Sequence, residues 1–468
     1  MKVLLINPPI RVTEPPRHPP FGLGVIANVL LQDGHEVEIL DLNAYRLSKI
    51  ETVKRIKLTS NKYDLIGIGG LITTYKYLKW LIPIIKKYNK SSTIVVGGGV
   101  VTPVPYLLIN NTPADVAVIG EGEITMRELV NKIEKGNSLN NVKGIIYKED
   151  KQIYTTPPRP LIKNLDRLPF PAWDLLPMKI YLRNVAHASV ISKKTELSFI
   201  TARGCPFNCK YCYHIFGRGV RFRSIDKIIE ELERLYEKYK FESILFLDET
   251  FTINKDRIFE FCDKFEKTLK LPWSCYARVN LVDKEMLKRM KEAGCFWVGY
   301  GIESGSQKVL NMMNKGVTTE QAKKAIILTR NCRLICNTTF MFGYPGEDLT
   351  TIQETFDFCK ELLLRPRFFY TTPYPGTVLY EEVKQRIIEK YGSEENFIEV
   401  LGDATKFTIN LTDFSDEELI KLKKETERKL SKIPFYLYPK FFMEWYKQLG
   451  ARNTVSLLTK KLYEKFRR

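Results

Sequence analysis

Apolar runs bounded by turn formers recur along the chain, and between them lie stretches whose apolar positions fall three and four apart. Residues 2 to 8 (KVLLINP) are almost wholly apolar and end in Pro-Pro, which predicts a buried strand running into a loop. A helical pattern over residues 22 to 33 stops at Gly34, and the run HEVEILD at 35 to 41 completes a βαβ unit. Further strands are expected at 65–69, 93–97 and 116–119, and helices at 75–88, 105–110 and 123–135. This alternation predicts an α/β domain with a doubly wound parallel sheet, which binds ligands in the crevice beyond the carboxyl ends of its strands.

From 143 to 194 the pattern breaks at Pro157, Pro158, Pro160, Pro169, Pro171 and Pro177, as in an interdomain connector. It resumes with strands expected at 197–201, 243–247, 273–277, 296–301, 336–342 and 367–372, each but the last followed by helical sequence. Six such units predict a partial (β/α)6 barrel over 195–380 with its active site at the carboxyl ends of the strands. Residues 381–468 read as helical and basic. In their tail, 432 to 468, aromatic residues such as Phe435, Tyr436, Trp445 and Tyr446 alternate with Lys and Arg, a pattern that suits either packing onto the barrel or an interfacial segment on anionic lipid.

The length of 468 residues exceeds what one core supports, in keeping with the division at 142. Hydrophobic residues at 44% and charged residues at 27% exclude large-scale disorder. No apolar run is long enough to span a bilayer and no signal peptide pattern opens the chain, so a cytoplasmic address is expected, with peripheral membrane contact through the tail. A net charge of +19 implies either an anionic partner or a Lys-rich, solubilising surface.

Nine cysteines, three of them within eight residues, point to metal ligation in a reducing compartment more than to disulfides. Cys205, Cys209 and Cys212 stand at CxxxCxxC spacing just after the first barrel strand. Three thiolates can bind three irons of a cubane and leave the fourth open, whereas structural zinc needs a fourth ligand, here His214 or a distant cysteine.

This segment resembles the radical S-adenosylmethionine (SAM) superfamily over roughly residues 195 to 375. The resemblance implies that the three cysteines hold a 4Fe-4S cluster whose open iron is chelated by SAM. It places Tyr211 against adenine and Asp248 and Glu249 at the SAM amino group; Arg278, just beyond the third strand, is in position to pair with the SAM carboxylate. Glu303 and Ser304 fall in the fourth-strand segment that approaches SAM, and Gly343 in the fifth-strand turn Phe342-Gly343-Tyr344-Pro345-Gly346-Glu347.

In the preceding domain the glycine-bearing turns at the strand ends, Gly69-Gly70, Gly97-Gly98-Gly99 and Gly120-Glu121-Gly122, are where a ligand is expected. The domain resembles the Rossmann-like cobalamin-binding domain of one class of these enzymes through Asn7-Pro8-Pro9, Phe21-Gly22-Leu23, Asp41, Gly97-Gly98-Gly99 and Gly120-Glu121-Gly122-Glu123. The D-x-H-x-x-G motif that supplies a histidine to cobalt is absent, so base-off cobalamin is expected and the lower ligand stays open, with His18 in reach from the proline-rich loop. The class implies methylation of an unactivated carbon through a 5'-deoxyadenosyl radical and methylcobalamin. Rival outcomes are radical cyclisation or rearrangement, for example of a lipid or tetrapyrrole, and RNA modification. The expected partners are a small-molecule, lipid or protein substrate and an external low-potential electron donor. Nucleic acid is not expected, since no RNA-binding module follows the barrel, and the protein is expected to be monomeric.

Overall fold

A computed structural model describes residues 1 to 12 and 14 to 432. The tail beyond 432, with its interfacial reading, lies outside the described residues. The chain forms two units. The first comprises Met1–Tyr181, Tyr213–Arg221 and Pro373–Asp403; the second comprises Leu182–Cys212, Phe222–Thr372 and the described residues from Ala404.

In the first unit β1 (Lys2–Asn7), β2 (Glu36–Asp41), β3 (Leu65–Leu71), β4 (Thr93–Gly99), β5 (Val116–Val118), β6 (Ile145–Glu149) and β7 (Gln152–Thr155) form one sheet in the order β2-β1-β3-β4-β5-β6-β7. The first five are parallel. Val3 to Ile6 are almost fully buried, which is why β1 reads as a continuous apolar run: helices cover both faces of such a sheet. The order reverses between β1 and β3, the switch point at which a crevice opens.

At the ends of β1 and β2, buried Asp41 accepts hydrogen bonds from Asn7 Nδ2 at 2.9 Å, Tyr181 Oη at 2.6 Å and the Ala44 amide at 2.9 Å. Burial raises the Asp41 carboxyl above the usual range, and these donors oppose the rise.

Two features were not anticipated. The β6–β7 hairpin adds two antiparallel strands inside the stretch read as a connector, where Gly144 with φ 77° and the Asp150-Lys151 turn, both with positive φ, outweigh the proline signal. Helix Lys49–Lys57, opened by a capping box of Ser48 and Glu51, is an element beyond those expected. Helices Val378–Tyr391 and Glu394–Val400 belong to this unit as well. Glu395 and Glu399, one turn apart, take Lys79 Nζ at 2.8 and 2.6 Å, and Tyr75 Oη donates to Glu395 at 2.6 Å.

In the second unit β8 (Leu197–Phe199), β9 (Ile244–Phe246), β10 (Trp273–Ala277), β11 (Cys295–Glu303), β12 (Ile335–Phe342) and β13 (Arg367–Tyr370) form a wholly parallel half-barrel in sequential order. These are the six strands expected. Its core centres on Trp273, fully buried among Phe246, Phe251 and Phe261 at centroid distances of 5.5 to 5.7 Å. Among the described residues no helix is long and apolar enough to cross a membrane.

Candidate functional site

The cysteine loop leaves the carboxyl end of β8 through Gly204, whose φ of 91° a side chain would resist. Its entry is fixed by Asp248, just past β9. One carboxylate oxygen accepts from the amides of Thr201 at 2.6 Å and Ala202 at 3.2 Å, and the other takes the Thr201 hydroxyl. Asp248 is 3% exposed; burial raises its carboxyl, while Thr201, Arg257 and Ala202 oppose this. Both oxygens thus serve the loop. Its neighbour Glu249 is exposed and close enough to Cys212 to act on its titration.

The far side of the loop rests on residues 313 to 315, which follow helix Gln307–Met312. The Lys210 amide donates to the Met313 carbonyl at 3.0 Å and Asn314 Nδ2 to the Asn208 carbonyl at 2.9 Å. Lys315, only 7% exposed, reaches the Tyr211 hydroxyl at 2.9 Å and Glu303 Oε1 at 3.2 Å. Sequence reasoning missed Lys315: a lysine between a helix and Gly316 carries the pattern of a solvated turn. Glu303 itself has φ 74°, and the pairing of β11 with β12 shifts between Gly301 and Glu303. An irregular strand end with a residue in the left-handed region re-aims a side chain, and here it turns Glu303 toward Lys315.

Arg278 Nη1 donates to Cys209 Sγ at 3.7 Å and Nε to Asn280 Oδ1 at 2.9 Å, while Nη2 meets the Lys315 carbonyl. Cys205 Sγ lies 3.9 Å from the Thr250 hydroxyl. The Cys212 thiol is pushed up to about 12 by desolvation, then by Cys209, Glu249 and Cys205, with Lys315 opposing. Negative neighbours of that kind call for a cation before all three sulfurs ionise. Among the described residues no three His, Cys, Asp or Glu side chains converge on a single-ion site; three thiols that each hold a different iron need not do so. His214, the fourth zinc ligand considered above, falls in segment Tyr213–Arg221 of the first unit, and both its ring nitrogens are shielded without a hydrogen-bond partner.

Ser304 is not aimed at the loop: its hydroxyl pairs with Thr355 at 3.1 Å and accepts the Ser306 amide at 3.1 Å. Gly343, with φ 85°, donates its amide to Glu347 Oε2 at 2.6 Å. Burial lifts the Glu347 carboxyl from 4.5 to about 7. Because the folded value lies above the unfolded one, the neutral form's contribution is complete below pH 4.5 and is lost as pH rises through about 7, at a cost of about 3 kcal/mol. Glu347→Gln should therefore raise the urea midpoint at pH 8 and leave it nearly unchanged at pH 4.5. An equal shift at both pH values would refute this.

In the first unit the expected glycines converge. Gly69 and Gly70 on β3 lie directly beside Gly97 and Gly98 on β4, with Gly99 opposite Leu71. Gly98 has φ 80°, and a Cβ there would stand 3.1 Å from the Gly70 carbonyl, so side chains are excluded by the approach of the two backbones. Gly22 and Gly120 face open space, Gly122 packs near Ile26, and Pro9 is half-buried just past β1. His18 is exposed in the proline-rich loop. Glu121 is engaged elsewhere: Arg221 Nη1 contacts its two oxygens at 2.9 and 2.8 Å, and the Ile162 amide donates to it at 2.7 Å.

A family model described as the Radical SAM superfamily matches residues 199–359, and one described as the B12 binding domain matches 9–130. An uncharacterized methyltransferase of Pyrococcus horikoshii is 34% identical over 457 residues, covering 95% of this chain and 94% of that protein. The anaerobic magnesium-protoporphyrin IX monomethyl ester cyclase of Rubrivivax gelatinosus is 28% identical over 389 residues, covering 80% and 68%. Among solved structures, a radical S-adenosylmethionine methyltransferase from Kitasatospora setae, with cobalamin and a 4Fe-4S cluster bound, superposes with a TM-score of 0.68 at 19% identity, over 83% of this chain and 75% of that one. That likeness establishes a shared fold.

Proposed function

The chain belongs to the radical SAM superfamily, in the branch with a B12-binding domain, and we propose that it is a methyltransferase acting on an unactivated carbon of a small-molecule substrate. What carries this reading is one combination in a single chain. A three-cysteine loop stands at the carboxyl end of a half-barrel, a doubly wound unit ends its central strands in bare glycine backbone, and a methyltransferase relative matches 95% of the length.

The residues fit the cofactors. Cys205, Cys209 and Cys212 would hold the cluster on a loop fastened at both sides, by Asp248 and by residues 313 to 315. Glu249, exposed beside Cys212, is the acceptor we assign to the SAM ammonium, since the oxygens of Asp248 are committed to the loop. Tyr211 and Glu303, joined through Lys315, would line the adjoining wall. A Cβ at Gly70 would meet the Thr74 hydroxyl and one at Gly98 the Gly70 carbonyl, so these strand ends stay free of side chains, and Gly22 and Gly120, which face open space, leave room for a large cofactor. When bound, these groups supply the one-electron reductant, the radical source and the methyl carrier that amino acid side chains lack. The protein contributes orientation and counter-charge. Buried Arg278 places a cation on Cys209 Sγ, and buried Lys315 opposes the rise of the Cys212 thiol.

Radical cyclisation is the second reading, favoured by the likeness to the magnesium-protoporphyrin cyclase. Holoenzyme incubated with methyl-labelled SAM, a reductant and a metabolite extract of the cells that encode it is expected to place the label in a new small molecule. Accumulation of 5'-deoxyadenosine while the label stays in SAM and methionine would favour cyclisation instead.

A further inference from the structure

Cluster ligation accounts for the three thiols but leaves the placement of Arg278 unexplained, and the geometry points to Arg278 as the residue that sets how readily the cluster accepts an electron. The inference rests on the cluster reading above. The residue follows β10, 69 positions from Cys209 in sequence, and is 8% exposed. Its guanidinium carbon lies 3.8 Å from the centroid of Phe207, which stands between Cys205 and Cys209 in the loop. Each of its three nitrogens already has a protein acceptor: Cys209 Sγ, Asn280 Oδ1 and the Lys315 carbonyl. An arginine placed to grip a ligand carboxylate presents a fork of unengaged N–H groups on one edge. Here one terminal nitrogen is spent on a sulfur and the other on the backbone that carries Lys315.

Donors to the sulfurs of an iron–sulfur cluster, and positive charge nearby, favour the reduced form, which carries one more electron. In a buried setting such a charge is weakly screened. The Phe207 ring and the contacts to Asn280 and Lys315 keep the guanidinium from swinging away, so the stabilisation is present before the electron arrives. Reduction adds one electron from an external donor and makes or breaks no bond at the protein.

The test compares full-length wild type, Arg278→Met and Arg278→Lys after anaerobic reconstitution. The cluster midpoint is measured by dithionite titration followed by EPR, without SAM, and SAM affinity is measured separately by equilibrium dialysis. Arg278→Met is expected to lower the reduction equilibrium constant about tenfold, equivalent to a midpoint 59 mV more negative for one electron. Iron content and SAM affinity should be retained. Arg278→Lys keeps the charge but loses the planar stack and the aligned donor, and should give a smaller shift in the same direction. If the Met variant takes up no iron, the Lys variant decides by the same criterion. An unmoved midpoint in variants that hold the cluster overturns the inference alone, and an unmoved midpoint with weakened SAM binding assigns Arg278 to the SAM carboxylate. Wild type that takes up no iron overturns the function reading and this inference together.

Discussion

Full-length protein in which Cys205, Cys209 and Cys212 are all alanine is expected to emerge from anaerobic reconstitution without iron and without the visible absorbance of a cluster, while remaining folded. The remaining six cysteines should be dispensable. Burial pushes the Cys262 thiol up to about 12 and raises Cys275 and Cys359 well above the usual thiol range; a thiol held protonated is a poor ligand and a poor nucleophile. Cys212 is raised as far, but it is crowded by two other thiols and a carboxylate, and one cluster would reverse the repulsion among all of them. Iron analysis and absorbance check the prediction. A Cys262→Ala or Cys359→Ala variant as iron-poor as the triple variant would refute it.

The second large effect concerns Arg221. Its partner Glu121 has a side chain only 4% exposed, and Arg221, itself 14% exposed, also donates to the carbonyls of Ile162 at 2.8 Å and Phe216 at 2.9 Å. Replacing Arg221 by Met takes both guanidinium contacts away from the buried Glu121 carboxylate. Breaking a buried pair from one side costs about 3 to 5 kcal/mol, whereas removing both charges costs much less. Arg221→Met should therefore lower the urea midpoint sharply, and adding Glu121→Gln should restore much of the loss. A single variant within about 1 kcal/mol of wild type would show that solvent reaches the pair.

The strands and the cysteine loop were legible because both are written locally. Leu65 to Gly69 ends its apolar run in glycines, Phe340 to Phe342 runs into Gly343, and CxxxCxxC needs no knowledge of the fold. Gly69-Gly70 and Gly97-Gly98-Gly99 were likewise readable as glycine runs at strand ends, and at Gly98 the approach of the Gly70 backbone together with a positive φ leaves only glycine. What was not legible depends on residues far apart in sequence. Lys315 gains its role from Tyr211, 104 positions away, and Glu121 from Arg221, 100 positions away. The spacing of charges along the chain carries no trace of either pairing. Asp248 shows the opposite limit: its position at a strand end was foreseen, but whether its oxygens face a ligand or the backbone of Thr201 was settled by the approach of β8.

The first unit is assembled from three separate stretches of sequence, with its last helices ending near residue 400. This constrains biosynthesis. At about 5 to 20 residues per second, the ribosome reaches Glu395 and Glu399 tens of seconds after it has released Tyr75 and Lys79, their partners on helix Tyr75–Tyr88. In the interval the nascent chain carries a parallel sheet whose covering is incomplete, a state in which exposed apolar surface invites aggregation. It also means that no single cut in the gene separates the two units. A recombination event that exchanged the amino-terminal 181 residues alone would put Lys79 and Glu121 on one parent's sequence and their partners Glu395, Glu399 and Arg221 on the other's.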